Sequence, residues 1–292
     1  MWWAFAAAVV VVIALVVALI PRSAPASAPM ETATPASTAT PSAEPTPTPT
    51  PTPTGPPANT AVYDLGTLPK IDVFTVLAAL PVDADPFGAF AGFTARAVAV
   101  GAPVFADPSG QPVGYLPRDD PYDGTTVPVI TRDANWVQVL LTGREAVPSQ
   151  GNPSQVTGWL RVADVELAPV VTSVEVSLSA RTIDIVTNGV PERIADDFGS
   201  GADATPTPTG RAFLMMTRVE PSFWYTRGHP LVYLSVQSRT LDGFGGADVA
   251  VTAFHYHDDR SGSISNGCIR VDPGAITRLA ELPVGTPVVI RP

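Results

Sequence analysis

A stretch rich in proline, threonine, serine and alanine, residues 23–58, limits most strongly what this 292-residue chain can fold into. It holds 11 prolines in 36 positions and alternates Pro and Thr without a break over residues 45–54. Such a composition cannot bury an apolar core and favours extended polyproline II, at ~3.1 Å per residue. We therefore predict a disordered stalk over 23–58, with folded structure beginning near residue 59.

An uncharged run, Trp2–Ile20, precedes the stalk. A helix needs about 20 apolar residues to cross the hydrocarbon core, so residues 1–22 are predicted to form a transmembrane anchor. The alternative is a cleaved signal peptide, because residues 26–28 (Ala-Ser-Ala) resemble a small-residue cleavage site. Arg22 follows the run and by charge alone would lie on the cytoplasmic side.

Residues 59–168 contain short β-branched or aromatic runs separated by turn residues. The runs that predict strands are Ala97–Val100, Pro112–Leu116, Val127–Ile130, Trp136–Leu141 and Gly158–Val162. Five short strands within about 70 residues predict a small β-barrel. Before the barrel, Ile71–Leu80 is predicted to form a short helix or strand.

Residues 169–292 show a second, mainly β pattern. The predicted strands are Val174–Leu178, Thr182–Val186, Phe213–Thr217, Leu231–Val236, Val249–Phe254 and Val288–Arg291. Asn188-Gly189 is the strongest short-range signal for a β-hairpin. Pro273–Leu282 instead has helical spacing, with Ile276 and Leu279 on one face. The sequence thus predicts a mainly β protein with one late helix.

The distribution of charge bears on the choice of partner. The net charge is −10, with 12 acidic and 6 basic residues in 59–168 and 13 acidic and 10 basic residues in 169–292. No basic stripe is present in either part, and this composition argues against a nucleic-acid partner.

Cys268 is the only cysteine, so it cannot form a disulfide within the chain. Most free cysteines behave as small buried hydrophobic residues, and a reactive thiol is the alternative. Two of the three histidines, His255 and His257, lie within 13 residues of it. A free thiol has a pKa of ~8.5, so a nearby imidazole is needed to make it a thiolate at neutral pH.

The spacing between these residues allows them to meet. His255 follows the predicted strand Val249–Phe254, and the Ser/Gly-rich loop 261–267 can fold back to bring Cys268 beside it. Gly267 permits close approach of the backbone, so that the amides of Gly267 and Cys268 can point at a developing oxyanion. The pattern predicts a nucleophilic cysteine with a histidine base.

The sequence Ser-Asn-Gly-Cys-Ile-Arg at 265–270, preceded by His255, resembles the signature of YkuD-type L,D-transpeptidase catalytic domains. Residues 204–213 (ATPTPTGRAF) resemble the Thr-Pro-Thr-Gly turn of that family, and 174–189 resemble its first hairpin. The resemblance covers about residues 172–292. It implies that 169–292 is an L,D-transpeptidase catalytic domain, while 59–168 resembles bacterial SH3-like modules.

This resemblance implies a cysteine-dependent acyltransferase of the cell wall. It would form 3→3 peptidoglycan cross-links through a thioester on Cys268, with stem peptides as substrates and carbapenem-type β-lactams as inhibitors. The protein would be extracytoplasmic, anchored to the cytoplasmic membrane by the N-terminal helix and reaching the wall, or secreted if that helix is cleaved. No cofactor is expected, and no zinc-ligand spacing is present to predict a metal.

The resemblance also implies roles for the neighbours of Cys268. Ser265, Asn266 and Gly267 would shape the loop and the oxyanion site, and Arg270 would hold the loop or bind a substrate carboxylate in bidentate fashion. Asn266 stands where the family often has histidine.

The base is a choice between two residues, because residues two apart on a strand share a face. The motif position favours His255, whereas His257 stands at a threonine position of the family. His257 and Tyr256 are candidates for substrate binding. Trp224 and Tyr225 either line the acyl pocket or pack in the core.

Two other functions stay open at this stage. An L,D-carboxypeptidase would use the same site with water as acceptor. A non-catalytic wall-binding protein would bind through the barrel and lack activity in its C-terminal domain.

Overall fold

Strands dominate residues 55–292, the part of the chain that the computed structural model describes. Seven of them pair antiparallel in one sheet. They are β1 (Phe93–Ala97), β2 (Gly101–Phe105), β3 (Pro112–Pro117), β4 (Thr126–Arg132), β5 (Trp136–Leu141), β6 (Val156–Arg161) and β7 (Val165–Pro169). Their order across the sheet is β3-β2-β6-β5-β4-β1-β7. The mainly β fold is confirmed, and an SH3-like barrel stays a prediction.

Four of the five strands predicted in this region coincide with β3, β4, β5 and β6. The strand predicted over Ala97–Val100 is wrong, because the chain bends there between β1 and β2. Val98 and Val100 are 51% and 80% exposed, so they have no sheet face to pack against. β-Branched residues favour a strand mainly where neighbouring side chains bury them.

Residues 55–92 contain little regular structure beyond a 3-10 turn at Leu65–Thr67. The helix or strand predicted over Ile71–Leu80 is wrong, since this stretch consists of turns and single β-bridges. The Asp72 side chain accepts a hydrogen bond from the Phe74 N–H at 2.9 Å, and such local bonding competes with helix and sheet. The two ends of the stretch, Ile71 and Leu80, are nevertheless buried in the core.

The remaining ten strands form a second sheet. They are β8 (Thr172–Ser177), β9 (Thr182–Thr187), β10 (Val190–Ala195), β11 (Gly199–Gly201), β12 (Gly210–Arg218), β13 (Leu231–Gln237), β14 (Val251–Tyr256), β15 (Gly262–Ser265), β16 (Ile269–Val271) and β17 (Pro287–Arg291). Their order is β10-β9-β8-β17-β12-β13-β14-β16-β11-β15. Three neighbouring pairs are parallel, namely β8 with β17, β14 with β16, and β11 with β15.

The predicted hairpin and helix of this region are confirmed. Asn188 and Gly189 have φ angles of 52° and 78° and join β9 to β10, as expected for a two-residue hairpin turn. Helix α1 (Pro273–Ala280) begins after Asp272, whose side chain accepts from two N–H groups of the first turn. The helix ends two residues before the predicted Leu282, within the usual spread of helix boundaries.

Strand β12 contributes to the cores of both sheets. Phe213 and Met215 are buried with the valines and leucines of the first sheet. Ala212 and Leu214 are buried with those of the second sheet. Successive residues of a strand point to opposite faces, so one strand can serve two cores. The first sheet ends at Pro169 and the second begins at Thr172, and their cores meet at β12. The domain boundary at 168/169 stays a prediction.

The predicted anchor (1–22) and the part of the stalk up to residue 54 lie outside the described residues. Within residues 55–292, no helix is both long enough and apolar enough to cross a membrane.

Candidate active site

His255 lies in one of two neighbouring parallel strands, and Cys268 lies just before the other. His255 is the next-to-last residue of β14, and Cys268 immediately precedes β16. The register pairs His255 with Arg270 and Phe254 with Ile269. Phe254 and Ile269 are fully buried, so the core fixes both strands while the residues beside them face the site. The loop between the strands folds back, as its Ser/Gly content predicts.

Ser265 holds the turn that presents Cys268. Its hydroxyl donates to the Cys268 carbonyl at 2.5 Å and accepts from the Gly267 N–H at 3.2 Å. Its carbonyl accepts from the Ala202 N–H at 2.9 Å and from the Thr205 hydroxyl at 3.0 Å. One serine therefore closes the turn and also ties it to the neighbouring segment of the sheet.

Gly267 occupies a backbone conformation that side chains rarely adopt, with φ at 110°. Its N–H is directed at the Ser265 hydroxyl, so this amide is engaged within the turn. Of the two amides expected to face an oxyanion, the one on Cys268 is therefore the better candidate.

Cys268 and His255 line one cavity of about 490 Å³. The walls come from the loop that carries Cys268, from β14 and the residues beside it, and from two segments with aromatic residues. The lining residues are Phe223, Tyr225, Phe244, Gly245, Ala247, Ala250, Val251, His255, His257, Ser265, Asn266, Cys268 and Arg270. A larger hollow of about 600 Å³ is lined mostly by aspartates, including Asp258 and Asp259, and contains neither Cys268 nor His255. The cavity at Cys268 is the candidate active site.

The hydrogen bonds of His255 define its tautomer. Its Nδ1 lies 2.8 Å from the Tyr256 carbonyl, which can only accept, so Nδ1 carries the proton. Nε2 is then the nitrogen with a lone pair. Burial lowers the pKa of His255 from 6.5 to about 4, and the positive charge of Arg270 acts in the same direction. His255 is therefore a neutral proton acceptor across the physiological range.

His257 shares the cavity with His255, and their ring centroids lie 6.2 Å apart. The Nδ1 of His257 accepts a hydrogen bond from the Asp259 N–H at 2.9 Å, so in the neutral ring Nε2 carries the proton. Burial, followed by the charge of Arg270, lowers its pKa as well. His257 thus offers a donor where His255 offers an acceptor, which favours His255 as the base.

The Cys268 thiol is partly buried, with Sγ 4.0 Å from the Val251 carbonyl. Burial raises the pKa of Cys268, against the opposing effects of the Ala253 amide and the charge of Arg270. With His255 also uncharged, the resting site holds a neutral thiol and a neutral imidazole. This differs from the thiolate expected at neutral pH, because desolvation disfavours both charges of an ion pair.

Arg270 brings a positive charge to the cavity. It donates to the Asp259 carbonyl at 3.3 Å, and its Nε is buried without a hydrogen-bond partner. Among the ion pairs formed within residues 55–292, none includes Arg270. A cation without a carboxylate partner at a cavity wall is suited to bind an anionic group.

Two other predicted residues take different positions. Asn266 is exposed and lines the cavity. Tyr256 is not among the described residues that line it, and its hydroxyl donates to Asp258 at 2.7 Å on the outer surface. Tyr256 follows His255 on β14, so alternation turns its side chain to the opposite face.

Aromatic residues complete the cavity. The Tyr225 ring lies 5.5 Å from that of His255 and 5.6 Å from that of His257, whereas Trp224 is 72% exposed and belongs to neither hydrophobic core of residues 55–292. Of the two alternatives for this pair, Tyr225 lines the pocket. Phe244 also lines the cavity and was not anticipated, although the Gly245-Gly246 turn beside it is a recognisable signal.

Cys268, His255 and Arg270 lie in a part of the sequence that matches a known protein family. Residues 172–290 match the YkuD family, the L,D-transpeptidase catalytic domain. The match covers β8 to β16, helix α1 and nearly all of β17, and therefore every residue of the cavity. No curated protein matches the chain.

Several solved structures show a more distant likeness. An L,D-transpeptidase mutant from Enterococcus faecium is 22% identical, with a TM-score of 0.28, over 41% of this chain and 49% of that one. L,D-transpeptidase 3 from Mycobacterium tuberculosis, in complex with a faropenem-derived adduct, is 16% identical, with a TM-score of 0.32, over 59% of this chain and 96% of that one. The chain thus spans about half of the Enterococcus protein. Likeness at these TM-scores supports no conclusion about the present chain.

Proposed function

We propose that this protein is a peptidoglycan L,D-transpeptidase that forms 3→3 cross-links through a thioester on Cys268. One observation carries the proposal: the only cysteine lines a cavity together with a neutral histidine that can accept a proton and an arginine whose buried Nε finds no hydrogen-bond partner within residues 55–292. The YkuD match over residues 172–290 supports it.

In the first half-reaction, Sγ of Cys268 attacks the carbonyl carbon of the third stem residue, and the thiol proton passes to Nε2 of His255. The bond from that carbonyl to the terminal D-alanine nitrogen then breaks, and His255 returns the proton to the leaving amine. The Cys268 N–H donates to the oxyanion that forms in between. The products are a thioester and free D-alanine.

In the second half-reaction, a side-chain amine of a neighbouring stem attacks the thioester. His255 accepts a proton from that amine, the carbon–sulfur bond breaks, and the proton returns to the departing sulfur. Because both groups are neutral at rest, one histidine can serve both halves without a permanent ion pair.

Arg270 and His257 are proposed to bind the donor stem. Arg270 can pair with a stem carboxylate, and His257 can donate from Nε2 to a substrate oxygen. Both groups lie on the wall that also carries His255.

The test uses the purified full chain with tetrapeptide stems and, separately, with a carbapenem. Mass spectrometry of the stems should reveal 3→3 dimers and released D-alanine. The intact mass should show one carbapenem adduct, which peptide mapping places on Cys268 and which Cys268→Ser lacks.

The other outcomes separate the competing functions. Trimmed stems without dimers would mean a carboxypeptidase that uses water as acceptor. An adduct that persists in Cys268→Ser would refute the nucleophile. Absence of both turnover and adduct would leave a non-catalytic wall-binding protein.

We further propose that residues 1–22 anchor the protein outside the cytoplasm and that residues 59–168 act as an SH3-like spacer or wall-contact module. The chain with residues 1–22 should sediment with membranes, and the chain without them should not. Recovery of the mature protein in the medium would show instead that the segment is cleaved.

A further inference from the structure

One part of the cavity wall is the tip of a hairpin, residues 242–248, which contributes Phe244, Gly245 and Ala247. Phe244 and Ala247 face each other and exchange two backbone hydrogen bonds of 3.1 Å. Gly245 and Gly246 between them have φ angles of 62° and 87°, which fits a two-residue hairpin turn. Phe244 is 54% exposed, and no residue of the 242–248 hairpin belongs to either hydrophobic core of the described chain. Apolar burial therefore does little to hold this wall.

Polar contacts from outside the YkuD segment hold it instead. Arg144 follows β5 of the first sheet, and its Nη2 donates to the carbonyl of Asp242 at 2.6 Å and to that of Asp248 at 2.9 Å. These two residues are the ends of the hairpin. One guanidinium thus bonds to both ends of the hairpin, in addition to the backbone bonds that the Phe244 N–H makes with the Ala247 and Val249 carbonyls within it.

Arg144 is itself firmly placed. Its side chain is 0% exposed. Its N–H donates to the Thr75 carbonyl, and its carbonyl accepts from the Leu77 N–H, each at 3.0 Å. The hairpin is therefore attached to a rigid part of the first sheet and its irregular segment.

Ser149 provides a second attachment. Its N–H and hydroxyl donate to the two carboxylate oxygens of Asp242, at 2.9 and 2.6 Å. Ser149, like Arg144, lies outside residues 172–290, the segment that carries Cys268 and His255.

We propose that Arg144, with Ser149, is a positioning residue for the acyl transfer: it fixes the 242–248 hairpin so that Phe244 and Ala247 form the wall against which the donor stem binds. The inference rests on the proposed function, which supplies the substrate. It gives the region before residue 169 a role in substrate binding without contact with the reacting atoms.

The experiment compares Arg144→Met, Arg144→Lys and Ser149→Ala in the full chain. Arg144→Met should raise KM for the tetrapeptide stem about tenfold and leave kcat much less changed, because a charge-assisted hydrogen-bond pair is lost away from the reacting atoms. Arg144→Lys should recover part of the loss, since an ammonium group can donate to both carbonyls. Ser149→Ala should act in the same direction with a smaller effect.

Asp83→Asn is the matched control. Asp83 pairs with Arg211 at 2.6 Å between the same two regions, and both side chains are buried, yet neither lines the cavity. This variant should lower Tm without raising KM. A KM increase in Asp83→Asn equal to that in Arg144→Met would overturn the positioning role, as would an unchanged KM in both Arg144→Met and Ser149→Ala.

Hydrogen exchange of the 242–248 amides keeps this test separate from that of the proposed function. Exchange should be faster in Arg144→Met and in Ser149→Ala than in the wild type, and it needs no substrate. Unchanged exchange in folded Ser149→Ala and Arg144→Lys would overturn the inference even if Arg144→Met fails to fold. A wild-type protein without turnover would defeat the proposed function and, with it, the assignment of the hairpin to acyl transfer.

Discussion

The loop that carries Cys268 and the 242–248 hairpin line the same cavity, but they are held by contacts from different parts of the chain. The Ser265 hydroxyl bonds to residues two and three positions away, and its carbonyl accepts from Ala202 and Thr205, 60 to 63 residues earlier but still within the YkuD match. The 242–248 hairpin depends on Arg144 and Ser149, which lie 93 to 104 residues earlier in the chain. The first wall belongs to the YkuD match, and the second is fixed from outside it.

This difference suggests a division of work between the walls. The loop must hold the sulfur and the oxyanion donor within narrow limits, and short-range bonds achieve this with few degrees of freedom. The hairpin, in the role proposed for it, binds the donor stem away from the reacting atoms, so its anchors can come from the preceding region. Changes to the loop should therefore alter chemistry, and changes to the hairpin should alter binding.

The largest difference between loop and hairpin is expected between two variants, Cys268→Ser and Phe244→Ala. Loss of the thiol should abolish the carbapenem adduct and all turnover, because no other cysteine exists in the chain. Phe244→Ala removes a side chain that the hairpin contributes to the cavity and should raise KM while adduct formation persists. Intact-mass spectrometry and steady-state kinetics measure both. Loss of the adduct in Phe244→Ala would show that the hairpin takes part in chemistry.

The two histidines provide the next comparison. His255→Gln should slow acylation by about 10²- to 10⁴-fold, the usual range for loss of a general base. His257→Gln keeps a donor at the same wall and should change the rate by less than about tenfold. Time courses of carbapenem-adduct formation, followed by intact-mass spectrometry, measure both rates. A reversal of the two effects would assign the base to His257.

The pH dependence of stability offers a test of His255 that needs no substrate. Its pKa is lowered from 6.5 to about 4 by burial, so between these values the unfolded chain binds a proton that the folded chain does not. Above pH 6.5 both states are neutral at this residue, and its contribution is fully present. As the pH falls from 6.5 to 4, the folded state should lose about 3 kcal/mol through this residue.

Urea unfolding of the wild type and of His255→Gln at several pH values isolates this contribution. The difference between their free energies of unfolding should change between pH 7 and pH 4 and stay constant above pH 7. A constant difference across the whole range would mean that His255 is not buried in its neutral form.

Ser265→Ala should have the smallest effect. The Cys268 carbonyl and the Gly267 N–H lose their shared partner, which should lower the free energy of unfolding by about 2 kcal/mol. Acylation should slow through kcat rather than KM, the opposite of the pattern expected for Arg144→Met. Ser263→Ala, an exposed serine of the same loop, is the control and should match the wild type. A rise in KM in Ser265→Ala would contradict the distinction between a loop that affects chemistry and a hairpin that affects binding.

Local signals account for what could be predicted from the sequence. Asn188-Gly189 specifies its turn through the φ angles that these residues tolerate, and Asp272 before Pro273 specifies the start of α1. The alternation of side chains along a strand also predicts that Tyr256 lies on the face away from His255, whereas the motif suggested a role in substrate binding. Val98 and Val100 show the limit, because their preference for strands was overridden by exposure.

The sequence by itself determined the mainly β fold, the helix near the end and the pairing of Cys268 with a nearby histidine. Turn chemistry, alternation and short spacing carry that information, and all of them act over a few residues. Only the tertiary structure decided which nitrogen of each histidine carries the proton, which aromatic side chain lines the cavity, and that Arg144 bonds to both ends of the 242–248 hairpin. These features depend on burial and on hydrogen bonds between distant parts of the chain, and only the folded chain brings those parts together.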